Sequence, residues 1–149
     1  MWAPNSKNMR WAASLPGEGW YVFVAELLNN KVTGGTKDCN YVFDMLVADG
    51  IYLIGKTFED RQRQLGALFG DHITDDDYSH FIIDRHLWLA KPFRDGLTNL
   101  WWDIKERGNP EDEGLVLKKM DAKLKMCGSQ HANDGWMVKC RFSHKNYKW

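Results

Sequence analysis

Apolar residues come in short runs along this chain, separated by glycine, asparagine and acidic clusters. Residues 20–28 are almost continuously apolar and rich in aromatic and β-branched types, which predicts a buried strand. Asn29-Asn30 offers a turn, and residues 31–36 form a short, glycine-ended piece. A second strand is expected over residues 40–47, closed by Ala48-Asp49-Gly50, and a third short apolar run covers 51–54. Thr57 with Asp60 has capping-box spacing, and Leu65, Leu68 and Phe69 then share one helical face up to Gly70. Asp75-Asp76-Asp77 reads as an acidic loop, and residues 80–89 read as one strand. Pro92 suits a first helical residue. Phe93, Leu97, Leu100, Trp101 and Ile104 keep helical spacing until Gly108-Asn109-Pro110. The spacing also asks for at least one of Trp101 and Trp102 to be buried. Residues 115–118 and 136–142 read as the last strands, with a polar loop over 121–135 between them. Residues 1–19 read as loop. The order is an α+β pattern with largely antiparallel pairing, not a regular βαβ series.

Composition narrows this picture only a little. The 149 residues suit one domain, and 44% hydrophobic content is enough to build a core. Twenty basic and twenty acidic residues cancel, which argues against a strongly basic nucleic-acid binder but leaves room for a local basic groove. No apolar run is long enough to cross a membrane and no signal-peptide pattern is present, so a soluble, cytoplasmic protein is expected. Three scattered cysteines, Cys39, Cys127 and Cys140, suit a reducing compartment better than a disulfide framework.

Two segments carry the sharpest chemistry. In Glu113-Gly114-Leu115-Val116-Leu117-Lys118 a strand follows an acidic edge, and the glycine lets backbone come close to a ligand. In Trp136-Met137-Val138-Lys139-Cys140-Arg141-Phe142, strand alternation puts Lys139 and Arg141 on one face, where two fixed cations can neutralise a phosphate. Upstream stand Glu26, at the end of Trp20-Tyr21-Val22-Phe23-Val24-Ala25-Glu26, and Phe43, in Tyr41-Val42-Phe43-Asp44-Met45-Leu46. Taken singly, Glu26 reads as a strand-end glutamate and Phe43 as a core residue.

In this order the segments resemble the catalytic domain of the covalent nucleotidyltransferases, the ATP-dependent DNA ligases, RNA ligases and mRNA capping enzymes. The resemblance implies antiparallel sheets with flanking helices around a nucleotide pocket. It implies ATP, with GTP as the other option, together with Mg²⁺. It gives Phe43 the purine ring, a stacking contact of roughly 1–3 kcal/mol, and Glu26 the ribose. It gives Glu113 the metal, for which a hard oxygen ligand is suited, and Lys118, Lys139 and Arg141 the phosphates. Catalysis would then rest on Lys139, Arg141 and Glu113. Leu53-x-Gly55-Lys56-Thr57 with Arg61-Gln62-x-Gln64-Leu65 resembles the turn and helix that follow the family's stacking strand, with a scaffolding role. The partners implied are nicked or broken DNA or RNA 5′ ends. The sequence departs from the family in three places. Val24-Ala25 replace Asp-Gly before Glu26, Arg141 stands where lysine is usual, and no Lys-x-Asp-Gly occurs anywhere. That motif supplies the attacking amine, so residues 1–149 are expected to form a partial domain without the appended oligonucleotide-binding barrel. The resemblance then leaves three forms open: a ligase truncated before its nucleophile, one piece of a split enzyme whose separate partner chain supplies the nucleophilic lysine, or a pseudoenzyme. Lys7, with no Asp-Gly behind it, is a poor substitute. A non-catalytic nucleotide or nucleic-acid binder is the alternative.

Two other patterns compete. Gly50-Ile51-Tyr52-Leu53-Ile54-Gly55-Lys56-Thr57 matches the P-loop formula. Its four middle residues are large and apolar, and leaving them in a loop would forgo roughly 1.5–3 kcal/mol of burial each, so a strand is expected there instead. Cys127, His131, Cys140 and His144 could be a zinc set on paper, but their spacing is irregular.

Overall fold

In the computed structural model, residues 6–29, 36–109, 112–124 and 136–142 are described. The main sheet is built from β1 (Val22–Leu28), β2 (Cys39–Ala48), β3 (Ile51–Tyr52), β4 (Asp75–Asp76), β5 (His80–Asp84) and β6 (Leu87–Ala90). Its order is β1-β2-β6-β5-β4, with β3 folded back onto the far end of β2. β2 and β6 run parallel, pairing Asn40 with Leu87 and Val42 with Leu89. The other pairs are antiparallel, as expected for an α+β chain.

Helix α1 (Phe58–Phe69) packs on this sheet through Leu65 and Phe69, which join Val42, Met45, Leu53, Leu87 and Leu89 in the core. Its start is the capping box read from the sequence: the Asp60 N–H donates to Thr57 Oγ1, and the Thr57 N–H donates to Asp60 Oδ2. The next two donors are also taken, because the Phe58 N–H reaches Ala122 O at 2.8 Å and the Glu59 N–H reaches Met120 O at 3.0 Å. Helix α2 (Leu97–Arg107) stops at Gly108, whose φ of 61° is the left-handed conformation that glycine adopts without strain. A two-stranded ribbon of β7 (Gly114–Lys118) and β8 (Met137–Arg141) completes the described fold.

Several expected boundaries move. Residues 80–89 are two strands, because Arg85-His86 turns the chain and lets β5 and β6 pair with each other. The acidic triplet is not all loop: Asp75 and Asp76 form β4 against Ile82 and Phe81. Helix α2 begins at Leu97, not near Pro92, because Gly96 sits in the left-handed region at φ 63° and ends the extended approach there. Residues 6–14 coil into 3-10 turns, and Trp11 from them enters the core. Against expectation, neither tryptophan of α2 is buried: Trp102 is half exposed, and Trp101 is only partly buried, with its ring 4.4 Å from that of Phe142. Among the described residues no helix is long and apolar enough to cross a membrane.

Candidate functional site

The β1–β2 pairing is irregular where it matters. Val24 pairs with Asp44 and Ala25 with Val42, so Phe43 is an extra residue in β2. A bulge of this kind re-aims a side chain and locally kinks the strand. Helix α1 holds the bulge in place. Arg61 is fully buried and grips Asp44 through two parallel bonds, Nε to Oδ1 at 2.8 Å and a terminal nitrogen to Oδ2 at 2.9 Å. Its remaining terminal nitrogen donates to Lys56 O, and Gln62 Nε2 donates to the Phe43 carbonyl at 3.0 Å. The segment read as scaffold therefore braces the bulge residue and its neighbour Asp44, a role for Asp44 that sequence reasoning missed.

On the ribbon, directly opposed residues are Lys118 with Met137, Val116 with Lys139, and Gly114 with Arg141. Opposed residues in an antiparallel pair lie on the same face, and so do residues two apart. Lys118, Lys139 and Arg141 thus share one ribbon face. Neighbouring positions along it are roughly 7 Å apart, two strand residues each. The other face carries Phe142 toward Trp101 of α2. Gly114 is needed for the pairing itself: its φ is 133°, and a Cβ there would collide with the Cys140 carbonyl. The glycine's close approach is to backbone of the opposing strand.

The ribbon is tied to the main sheet at both ends. At one end the Tyr78 hydroxyl donates to Asp112 Oδ2. Burial first, then the nearby charge of Asp77, raises the Asp112 carboxyl above its ordinary range. At the other end Lys118 Nζ lies 5.0 Å over the Phe43 ring and 4.5 Å over the Phe58 ring. Burial lowers the Lys118 pKa from the usual lysine range; Asp44 opposes the shift and Arg61 reinforces it. Neither a hydrogen-bond acceptor nor an ion-pair partner meets this ammonium among the described residues. Asp44, the carboxylate that acts on it, is already engaged on both oxygens by Arg61.

The six residues singled out from sequence fall into two pairs and two single residues. Phe43 and Lys118 are in direct contact. Glu113 and Arg141 form an ion pair at 3.6 Å, with Glu113 73% exposed and the Arg141 side chain 33% exposed. Lys139 is exposed between these groups on the shared face. Glu26 stands apart on β1: it is exposed, opposite Tyr41, and no hydrogen bond or ion pair joins it to the other five among the described residues. Its nearest chemistry is that tyrosine. Burial, then the charges of Asp112, Asp77 and Glu26, pushes the Tyr41 phenol up to about 12.

No group of three His, Cys, Asp or Glu side chains that could hold a metal exists among the described residues. Glu113 therefore offers one carboxylate. That suits Mg²⁺ that arrives on a phosphate and keeps its waters, and does not suit a resident ion in an all-protein cage. Of the paper zinc set, Cys127, His131 and His144 lie outside the described residues.

The P-loop formula fails on backbone geometry. Ile51 and Tyr52 pair with β2, and the Leu53 N–H is bonded to Leu46 O at 2.8 Å. With the first donors of α1 also occupied, no cradle of free N–H groups remains for a phosphate. The burial argument made from sequence holds for Leu53 alone, since Ile51, Tyr52 and Ile54 are 66%, 62% and 51% exposed. Two shallow concavities of about 340 and 400 Å³ flank Trp11, on residues other than these six. Compared with known proteins, the chain matches no family model, no curated protein and no solved structure.

Proposed function

We propose that the chain is a ligase-like nucleotidyltransferase domain that binds a purine nucleoside triphosphate with Mg²⁺ and serves transfer to a nucleic-acid 5′ end. The observation that carries the reading is the shared ribbon face, with three cations in a row beginning at the ring of Phe43. A purine stacked on Phe43 leaves its triphosphate to run along that row. Lys139 and Arg141 would neutralise the α- and outer phosphates and stabilise charge on the departing pyrophosphate. Glu113 would orient Arg141 and offer one oxygen to the Mg²⁺ that neutralises the phosphates. Glu26, one strand away, would meet the ribose hydroxyls. The amine that attacks the α-phosphate would come from a segment outside these 149 residues, because the sequence holds no Lys-x-Asp-Gly.

That same absence favours a second reading, a domain that binds the nucleotide without transferring it. Equilibrium binding of Mg²⁺-ATP and Mg²⁺-GTP, followed by intact mass under denaturing conditions, tests both. The transferase reading expects binding, its loss in Lys139→Ala/Arg141→Ala, and a gain of one nucleoside monophosphate only when a Lys-x-Asp-Gly polypeptide is added. Binding with no adduct under any supplementation leaves the second reading. Absence of binding to either nucleotide refutes both.

A further inference from the structure

Lys118 differs from the other two cations of its face. Lys139 is exposed, whereas Lys118 is half-buried, with its ammonium resting on the Phe43 and Phe58 rings. An ammonium has three N–H donors and no acceptor capacity. Here it meets aromatic faces and no acceptor among the described residues. A partly desolvated donor without an acceptor is costly unless a ligand supplies one.

The position also decides which part of a ligand would do so. A base stacked on the open part of Phe43 would meet the ammonium at its rim, ahead of any phosphate. On the edge that carries N7, guanine presents two acceptors, N7 and O6, whereas adenine presents the N7 acceptor beside an N6 amino donor. A donor-only cation gains two bonds from the first and faces a repelling N–H from the second. Resting on the nucleotide reading above, we infer that Lys118 reads the base and not the phosphate, and that it makes the site selective for a 6-oxopurine, so that GTP is the preferred nucleotide.

The test is the Mg²⁺-dependent affinity of the wild-type chain for GTP, ITP, ATP and inorganic tripolyphosphate. ITP keeps N7 and O6 but lacks the 2-amino group. GTP and ITP are expected to bind alike and to exceed ATP by on the order of tenfold, the discrimination typical of one good base-edge contact. Lys118→Met should remove the preference, with GTP falling to the level of ATP. ATP binding as tightly as GTP to the wild-type chain overturns the inference while leaving the nucleotide reading intact. So does a Lys118→Met variant that keeps the GTP-to-ATP ratio, or one that weakens GTP, ATP and tripolyphosphate by the same factor, which would make Lys118 a phosphate ligand. Failure of the wild-type chain to bind any of the four removes the nucleotide reading and this inference with it.

Discussion

Replacing Arg61 by methionine should be among the most damaging single changes in the protein. Arg61 is fully buried and Asp44 is 3% exposed, so the substitution leaves a carboxylate in the interior with one remaining donor, the Met45 N–H at 2.9 Å. Removing one partner of a buried pair typically costs about 3–5 kcal/mol, because the other charge is left unpaired. In a chain of this length each kcal/mol moves the melting temperature by roughly 2–4 °C, so a fall of about 6–20 °C is expected. Thermal and urea denaturation followed by circular dichroism would measure it. The decisive comparison is Asp44→Asn/Arg61→Met, which removes the orphaned charge and should recover much of the loss. The reasoning fails if the single variant costs less than about 1 kcal/mol, or if the double variant is no more stable than the single one.

Three further outcomes follow from the same geometry. Gly114→Ala should cost on the order of 1–3 kcal/mol in backbone strain alone, and more if β8 is displaced, read as a lowered urea midpoint. Gln62→Ala removes the donor to the Phe43 carbonyl and should weaken nucleotide binding several-fold while leaving tripolyphosphate binding unaltered, as titration would show. Because the folded pKa of Tyr41 lies near 12 and the ordinary tyrosine value is 10.0, the unfolded chain releases that proton first as pH rises. Its contribution to stability is full below pH 10 and is lost between about 10 and 12, so Tyr41→Phe should flatten the alkaline decline of a denaturation series.

Local signals were legible where one residue type answers one geometric need. Thr57 and Asp60 announced the start of α1, and Gly108 the end of α2, because caps depend on the residues beside them. The β5–β6 turn was not legible, since Arg85-His86 carries neither the glycine nor the asparagine that usually marks a tight connection. Pro92 and Phe93 misled for the opposite reason: they fit a helix start and a helical stripe, and Gly96 three residues later decides the matter. For the candidate site, alternation put Lys139 with Arg141 at once. Adding Lys118 needed the β7–β8 register, which links residues 19 or more apart and is not written in either strand alone. The bulge at Phe43 and the Asp44–Arg61 grip are likewise products of two elements meeting. The exposure of Ile51, Tyr52 and Ile54 shows the limit of hydropathy, which says what burial would gain and not whether a short hairpin can reach the core.

The bonds from the Phe58 and Glu59 N–H groups to Ala122 and Met120 reach across to the segment that follows β7. They make the first turn of α1 and the foot of the ribbon one cooperative unit. Lifting the ribbon off Phe43 would uncover those two amides together, while Leu65 and Phe69, deeper along the same helix, would stay protected. Hydrogen exchange at Phe58 and Glu59 is therefore a built-in gauge of how often the ribbon opens, and a ligand bridging Phe43 and the cationic face should slow exchange at both positions by the same factor.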